Sequence, residues 1–184
     1  MTGTDPSPRR REFFDADEPA VAAGCALGVL RMLLAQDGST TRMCEAIAGG
    51  PLTLVLLRQV VTERVPDAVR AVLPGTRFLE RVTSLAAHGE VMMDNLSFIA
   101  LDALPDAVRR GLEDGATPIG HLLDTLWVRR RPLDEGAAAL CRGLWDAVGV
   151  PDPRAARAYS IWTPEGPRFV IAETFRRGMR YGLR

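Results

Sequence analysis

Glu173 stands in the segment Phe169-Val170-Ile171-Ala172-Glu173-Thr174-Phe175. Read as a strand, alternation puts Phe169, Ile171, Glu173 and Phe175 on one face. A carboxylate among three large hydrophobes loses hydration, a cost that only a cation or a donor offsets. Unpaired, such a group keeps its proton to higher pH; paired, it releases it more easily. The competing reading is a strand edge where the carboxylate reaches water. Arg81 repeats the pattern, sharing its parity with Leu79, Thr83 and Leu85. A guanidinium set in a sheet face can hold a carboxylate through two parallel hydrogen bonds. A structural ion pair would explain it equally well.

Other polar residues interrupt apolar stretches. Arg58 and Gln59 do so in one segment, Asp94 and Asn95 in another. Arg58, near a strand end, can carry its head to water. His121, after Pro118-Ile119-Gly120, could border a pocket, whereas His88 falls at a hairpin tip. Trp127, Trp145 and Trp162 show no regular spacing with arginines and read as core or rim.

Several chemistries lack their residues. All 23 basic residues are arginine, so no lysine is present to form a Schiff base. Cys25, Cys44 and Cys141 have no C-x-x-C spacing, and two histidines add little, so no metal site is expected. No P-loop, dinucleotide fingerprint, G-x-S-x-G or HExxH occurs. The 23 basic and 23 acidic residues balance, and no basic stripe suggests a nucleic-acid partner. No apolar run reaches membrane-spanning length and no signal-peptide core is visible, so the expected location is cytoplasmic, away from membranes. The oligomeric state is left open, a monomer being compatible with the sequence.

The elements that must position these residues follow from the hydrophobic period. Residues 1–12 are polar and proline-broken and read as a disordered tail, with one domain over residues 13–184. A helix is expected from Asp17 to Gly38, and a short one after Ser39 as cap. Leu52–Thr62 is apolar on both faces, the pattern of a central strand. Asp67–Leu73 reads as a helical turn. Phe78–Ala87 and Glu90–Leu101 form a hairpin over His88-Gly89. Short helices follow over Leu104–Leu112 and Ile119–Leu126, a strand over Val128–Leu133, and a helix over Gly136–Val148. Ala156–Thr163 and Arg168–Phe175 close the chain as a second hairpin. Helices and meandering strands without β-α-β alternation indicate an α+β fold, an antiparallel sheet flanked by helices.

Five segments in order carry a resemblance. They are LRMLLAQDGSTTR (30–42), LLRQVV (56–61), FLERVTSLAAHGE (78–90), TPIGHLL (117–123) and IAETF (171–175). Over Val29 to Phe175 the chain resembles the chorismate pyruvate-lyase family, its actinobacterial branch more than the shorter proteobacterial enzyme of the ubiquinone pathway. The resemblance implies a sheet enclosing an aromatic ligand in an internal pocket beneath flap-like helices. It implies conversion of chorismate to 4-hydroxybenzoate and pyruvate with no cofactor, so the partner is a small carboxylate. By the same resemblance Arg81 binds the ring carboxylate and Glu173 is the active-site glutamate, placed to give a proton to the departing ether oxygen. Ile119 offers a backbone amide, and Thr40 is a flap residue.

The match departs from the family in one strand. Where the family has small residues followed by a charged one, this chain has Asp94, Asn95 and Leu96. These are expected to line the substrate site, to reshape it, and to make the chain a weaker chorismate lyase. Arg157-Ala158-Tyr159-Ser160 keeps only part of another motif, leaving the roles of Arg157 and Arg58 open. Two alternatives therefore stand beside a lyase. One is a relative repurposed for cyclisation, dehydration or isomerisation in natural-product biosynthesis; the other is a non-catalytic binder of aromatic acids.

Overall fold

The structure is a computed structural model and describes residues 7–17 and 19–181. Helix α1 (Ala20–Ala35) starts behind Pro19 and lays Ala26, Leu30 and Leu33 against the core, a helical spacing. Helix α2 (Thr40–Ala48) is capped by Ser39, whose hydroxyl accepts from the Arg42 amide, and ends at Gly49 in the left-handed conformation.

Strand β1 (Thr53–Thr62) and the short α3 (Asp67–Arg70) lead to β2 (Phe78–Ala87) and β3 (Glu90–Ala100). The β2–β3 turn uses His88 and Gly89 at φ 52° and 72°, the positive values a tight hairpin needs. Helices α4 (Asp106–Glu113) and α5 (Ile119–Leu122) follow, the latter running into a 3-10 turn at Leu123–Thr125. Then come β4 (Arg129–Pro132), α6 (Ala137–Val148), β5 (Ala156–Thr163) and β6 (Gly166–Phe175).

The six strands form one antiparallel sheet in the order β1-β2-β3-β6-β5-β4. The two long hairpins lie side by side, joined where β3 pairs with β6. One expectation is overturned. Leu52–Thr62 was expected at the centre of the sheet, yet β1 is an edge strand with Leu56, Leu57, Val60 and Val61 exposed.

The expected disordered tail also differs. Residues 1–6 lie outside the described residues, but Arg9 exchanges main-chain hydrogen bonds with Gly89 and Val91. Arg10 and Arg11 reach Asp94 and Glu90, and Phe13 is wholly buried.

The sheet has two differently covered faces. On one, α6 and α3 press Leu140, Leu144 and Val69 onto Val82, Leu96, Phe98 and Val170. On the other there are two apolar clusters. Helices α1 and α2 cover Leu85, Met93 and Phe175, while α4 and α5 cover Leu79, Ile99, Phe169 and Ile171. Between these clusters runs a row of polar side chains, and there the site lies.

Candidate functional site

Strand register builds that row. Thr83 on β2 faces Asn95 on β3, Asn95 faces Glu173 on β6, and Glu173 faces Arg157 on β5. Directly opposed residues of an antiparallel sheet share a face, so four polar side chains emerge in line. Thr83, Asn95 and Glu173 line a recess that is partly open to solvent, together with Thr40, Thr41, Pro118, Ile119, Gly120, Arg130, Tyr159 and Ile171; Arg157 stands outside this lining.

Glu173 is 1% exposed. Its Oε1 accepts from the Thr40 hydroxyl at 3.1 Å and from Arg157 Nε at 2.6 Å, and its Oε2 accepts from the Tyr159 hydroxyl at 3.1 Å. The apolar neighbours foreseen from parity are present, but the carboxylate itself meets three donors. Of the two cases the hydrophobic pattern leaves open, this is the paired one, and it arranges Glu173 as an acceptor rather than the proton donor the resemblance implies. Burial, and next the Glu173 charge, push the Tyr159 hydroxyl well above the ordinary tyrosine range. That hydroxyl stays protonated, and so a donor, at neutral pH.

Arg157 is committed in full. Besides Glu173 it donates to the carbonyls of Leu34 and Gln36, at 3.2 and 2.6 Å, and to the Thr40 hydroxyl. It therefore ties the α1–α2 turn to the sheet. Its role was left open by the sequence, as was that of Tyr159; alternation along β5 puts both on the Glu173 face.

Arg81 lies on this same sheet face, wholly buried, one register step from Thr83. Its Nη1 and Nη2 donate to the carbonyls of Thr117 and Gly115, at 3.1 and 2.7 Å, while its Nε is buried with no partner. Among the described residues no acidic side chain forms an ion pair with it, and burial pushes its pKa down. Arg81 thus sits behind the recess rather than in its lining. With Gln59, which donates to the carbonyl of Leu112, it holds the segment that carries Pro118, Ile119 and Gly120 over the recess.

Two expected lining residues are corrected. Asp94 and Leu96 flank Asn95, so alternation turns both to the opposite face. Leu96 packs in the α6 cluster. Asp94, fully buried, accepts from Arg10, Ser84 and Arg176 and anchors the N-terminal segment. Of the three, only Asn95 lines the recess, and its Oδ1 is buried without a partner. A charge at position 96 would face the α6 cluster and not the recess.

Thr40 and Ile119 are both in the lining, brought together by the packing of α2 on α5. Gly120 permits that approach: a Cβ there would fall 2.4 Å from Thr41 Oγ1 and 2.7 Å from Thr41 Cβ. Two polar contacts tie these elements at the surface, the ion pair of Arg42 with Asp124 at 2.7 Å and the approach of His121 Nε2 to Glu45 Oε1 at 2.8 Å. The Arg42 hydrogen bond holds the Asp124 carboxyl below its usual range. Arg58 pairs instead with Glu80, away from the recess. Among the described residues no three His, Cys, Asp or Glu side chains converge to hold a metal, and no helix is long and apolar enough to cross a membrane.

The fold and site define a helix-covered antiparallel sheet with an ion-paired glutamate beneath a two-element cover. The chain belongs to the family described as chorismate pyruvate-lyase Rv2949c-like, whose model matches residues 34–181. No curated protein matches it in sequence. Solved structures similar to it include the C-terminal domain of the histidine utilization repressor from Pseudomonas syringae, at 12% identity and TM-score 0.45 over 68% of this chain and 91% of that one. Gene product SA0254 from Staphylococcus aureus matches at 12% identity and TM-score 0.43, over 68% and 83%. A GntR-family transcriptional regulator from Bacillus cereus matches at 8% and 0.42, over 68% and 91%.

Proposed function

We propose that this chain eliminates pyruvate from chorismate to give 4-hydroxybenzoate. One observation carries the reading within its family: a buried guanidinium without a counter-charge, Arg81, shares a sheet face with the recess-lining Glu173. An unpaired buried cation is costly, and an incoming carboxylate relieves that cost. The ring carboxylate of an aromatic acid supplies the missing charge at the Arg81 end, where Nε is unsatisfied; because Arg81 stands behind the lining, this requires the Gly115–Thr117 segment to shift as the ligand enters.

The reaction breaks the ether bond at C3 and removes the C4 hydrogen as a proton, and aromatisation of the ring drives it. Enolpyruvate departs and becomes pyruvate by taking up a proton at its methylene carbon. Glu173, held as an acceptor by three donors, fits the acceptance of the C4 proton. Tyr159, kept protonated by burial, supplies a hydrogen bond to the departing oxygen, and Asn95 Oδ1 accepts from the ring hydroxyl.

The test is to mix purified protein with chorismate. 4-Hydroxybenzoate is followed by absorbance and pyruvate by a coupled dehydrogenase. Formation of both in equal amounts supports the reading. Tight binding of 4-hydroxybenzoate without turnover would instead make the chain a non-catalytic binder of aromatic acids.

A further inference from the structure

A second recess of about 440 Å³ adjoins the first, between the α1–α2 turn and strands β4 and β5. Arg130 and Tyr159 line both, so the two spaces meet at these side chains. The outer recess is built from Leu34, Gln36 and Asp37 on one side and Arg157 on the other.

Its two arginines differ in how they are used. Arg157 is spent on Glu173 and the α1–α2 turn. Among the described residues Arg130 makes one hydrogen bond, from Nη1 to the main-chain carbonyl of Asp37 at 3.1 Å. Its Nε is buried without a partner, and among the described residues no carboxylate forms an ion pair with it. Beside it, Gln36 Oε1 is a buried acceptor lacking a donor. A guanidinium with a buried, unused N–H where two recesses meet calls for an acceptor, and a carboxylate is the best match. Asp37 also lines the outer recess, and Tyr159 lines both recesses beside Arg130.

We propose that Arg130 is the anchor for a second carboxylate. The site would then prefer aromatic or cyclohexadienyl acids bearing an ether-linked carboxylate arm, with the arm in the outer recess and the ring in the inner one. This rests on the inner recess taking a ring carboxylate, as proposed above, and adds a specificity-determining residue to it. Chorismate has both groups, whereas its product 4-hydroxybenzoate has only the first. Arg130 therefore separates substrate from product: it holds the arm before cleavage and makes no call on the aromatic product afterwards.

The experiment compares two probes by calorimetric titration. One is 4-hydroxybenzoate; the other is 3-(carboxymethoxy)-4-hydroxybenzoate, which adds the carboxylate arm through a stable ether. The proteins are the native chain, Arg130→Gln and Arg130→Lys. The native chain should bind the dicarboxylate more tightly than the monocarboxylate. Arg130→Gln should lose about ten- to a hundredfold for the dicarboxylate and less than about threefold for the monocarboxylate, with Arg130→Lys between. Retained monocarboxylate binding also shows that the variants fold. Equal losses for both probes, or no loss for the dicarboxylate, overturn the assignment of Arg130 while leaving the inner site intact. If the native chain binds neither probe, the inner-site reading falls, and this one with it.

Discussion

Arg81 and Glu173 solve the problem of a buried charge in opposite ways. Glu173 is given three donors, so its charge is balanced within the fold. Arg81 receives only carbonyl dipoles, and in the function proposed above a ligand carboxylate completes its balance. Arg81→Gln should therefore lower affinity for 4-hydroxybenzoate by the equivalent of about 2–4 kcal/mol. The denaturation midpoint should fall only modestly, because the variant loses the hydrogen bonds to the carbonyls of Thr117 and Gly115 but also removes a costly unpaired cation. Calorimetric titration decides it, and unchanged affinity would sink the assignment. Glu173→Gln should behave differently. Glutamine keeps the shape and one acceptor, so product binding should survive within a few-fold. Turnover of chorismate should fall about a hundredfold or more. A single-turnover rate close to that of the native protein would reduce Glu173 to a structural tie for Arg157.

At the scale of elements, the cover is the part most exposed to small changes. Helices α2 and α5 meet where Gly120 has no side chain, and a methyl group there collides with Thr41, itself buried. Gly120→Ala should cost roughly 1–3 kcal/mol, the usual penalty of overpacking, and should speed ligand release because α5 no longer seats. Urea denaturation and stopped-flow displacement measure the two effects; an unchanged release rate would mean that α5 does not retain the ligand. The elements also show what could be read beforehand. Alternation groups Glu173 with Phe169, Ile171 and Phe175 on β6, and Arg81 with Leu79, Thr83 and Leu85 on β2; that the two groups share one sheet face follows only from their pairing through β3. The same rule carried through β3 sends Asp94 and Leu96 to the face opposite Asn95, since three consecutive strand residues cannot all line one recess. The position of β1 was beyond reach, because an apolar run does not reveal how many neighbours a strand has. Strand order is set by pairing between distant segments. Arg130 was equally hidden, since β4 consists of three arginines and a proline and shows no alternation.

For the molecule as a whole, three buried acids set its response to alkali. Burial raises Cys44 and Cys141 from an ordinary 9.0, Cys141 to about 11, and raises Tyr159 from 10.0. The unfolded chain gives up these protons first. The stabilisation is thus complete below the unfolded values and is lost as pH rises toward the folded ones. The urea midpoint should stay level from neutral pH to about 8.5 and fall between roughly 9 and 11, with a slope of up to about 1.4 kcal/mol per pH unit for each group. Cys141→Ala should flatten part of that decline. A midpoint that stays level through this range in the native protein would show that the thiols are not shielded as described.

The hydrogen bond from Thr40 to Glu173 spans 133 positions of the chain, whereas Tyr159 reaches the same carboxylate across only 14. The two halves of the site are thus assembled at different times. The β5–β6 hairpin can bring Arg157, Tyr159 and Glu173 together early, because a short loop closes at little entropic cost. The α2 side and the β3–β6 seam must wait for distant segments to meet, the slow kind of event in folding. A ligand that bridges the two halves therefore has nothing to bind until the last long-range pairing is made. It should slow unfolding without hastening folding, and a nascent chain should gain no help from its substrate until α2 has docked.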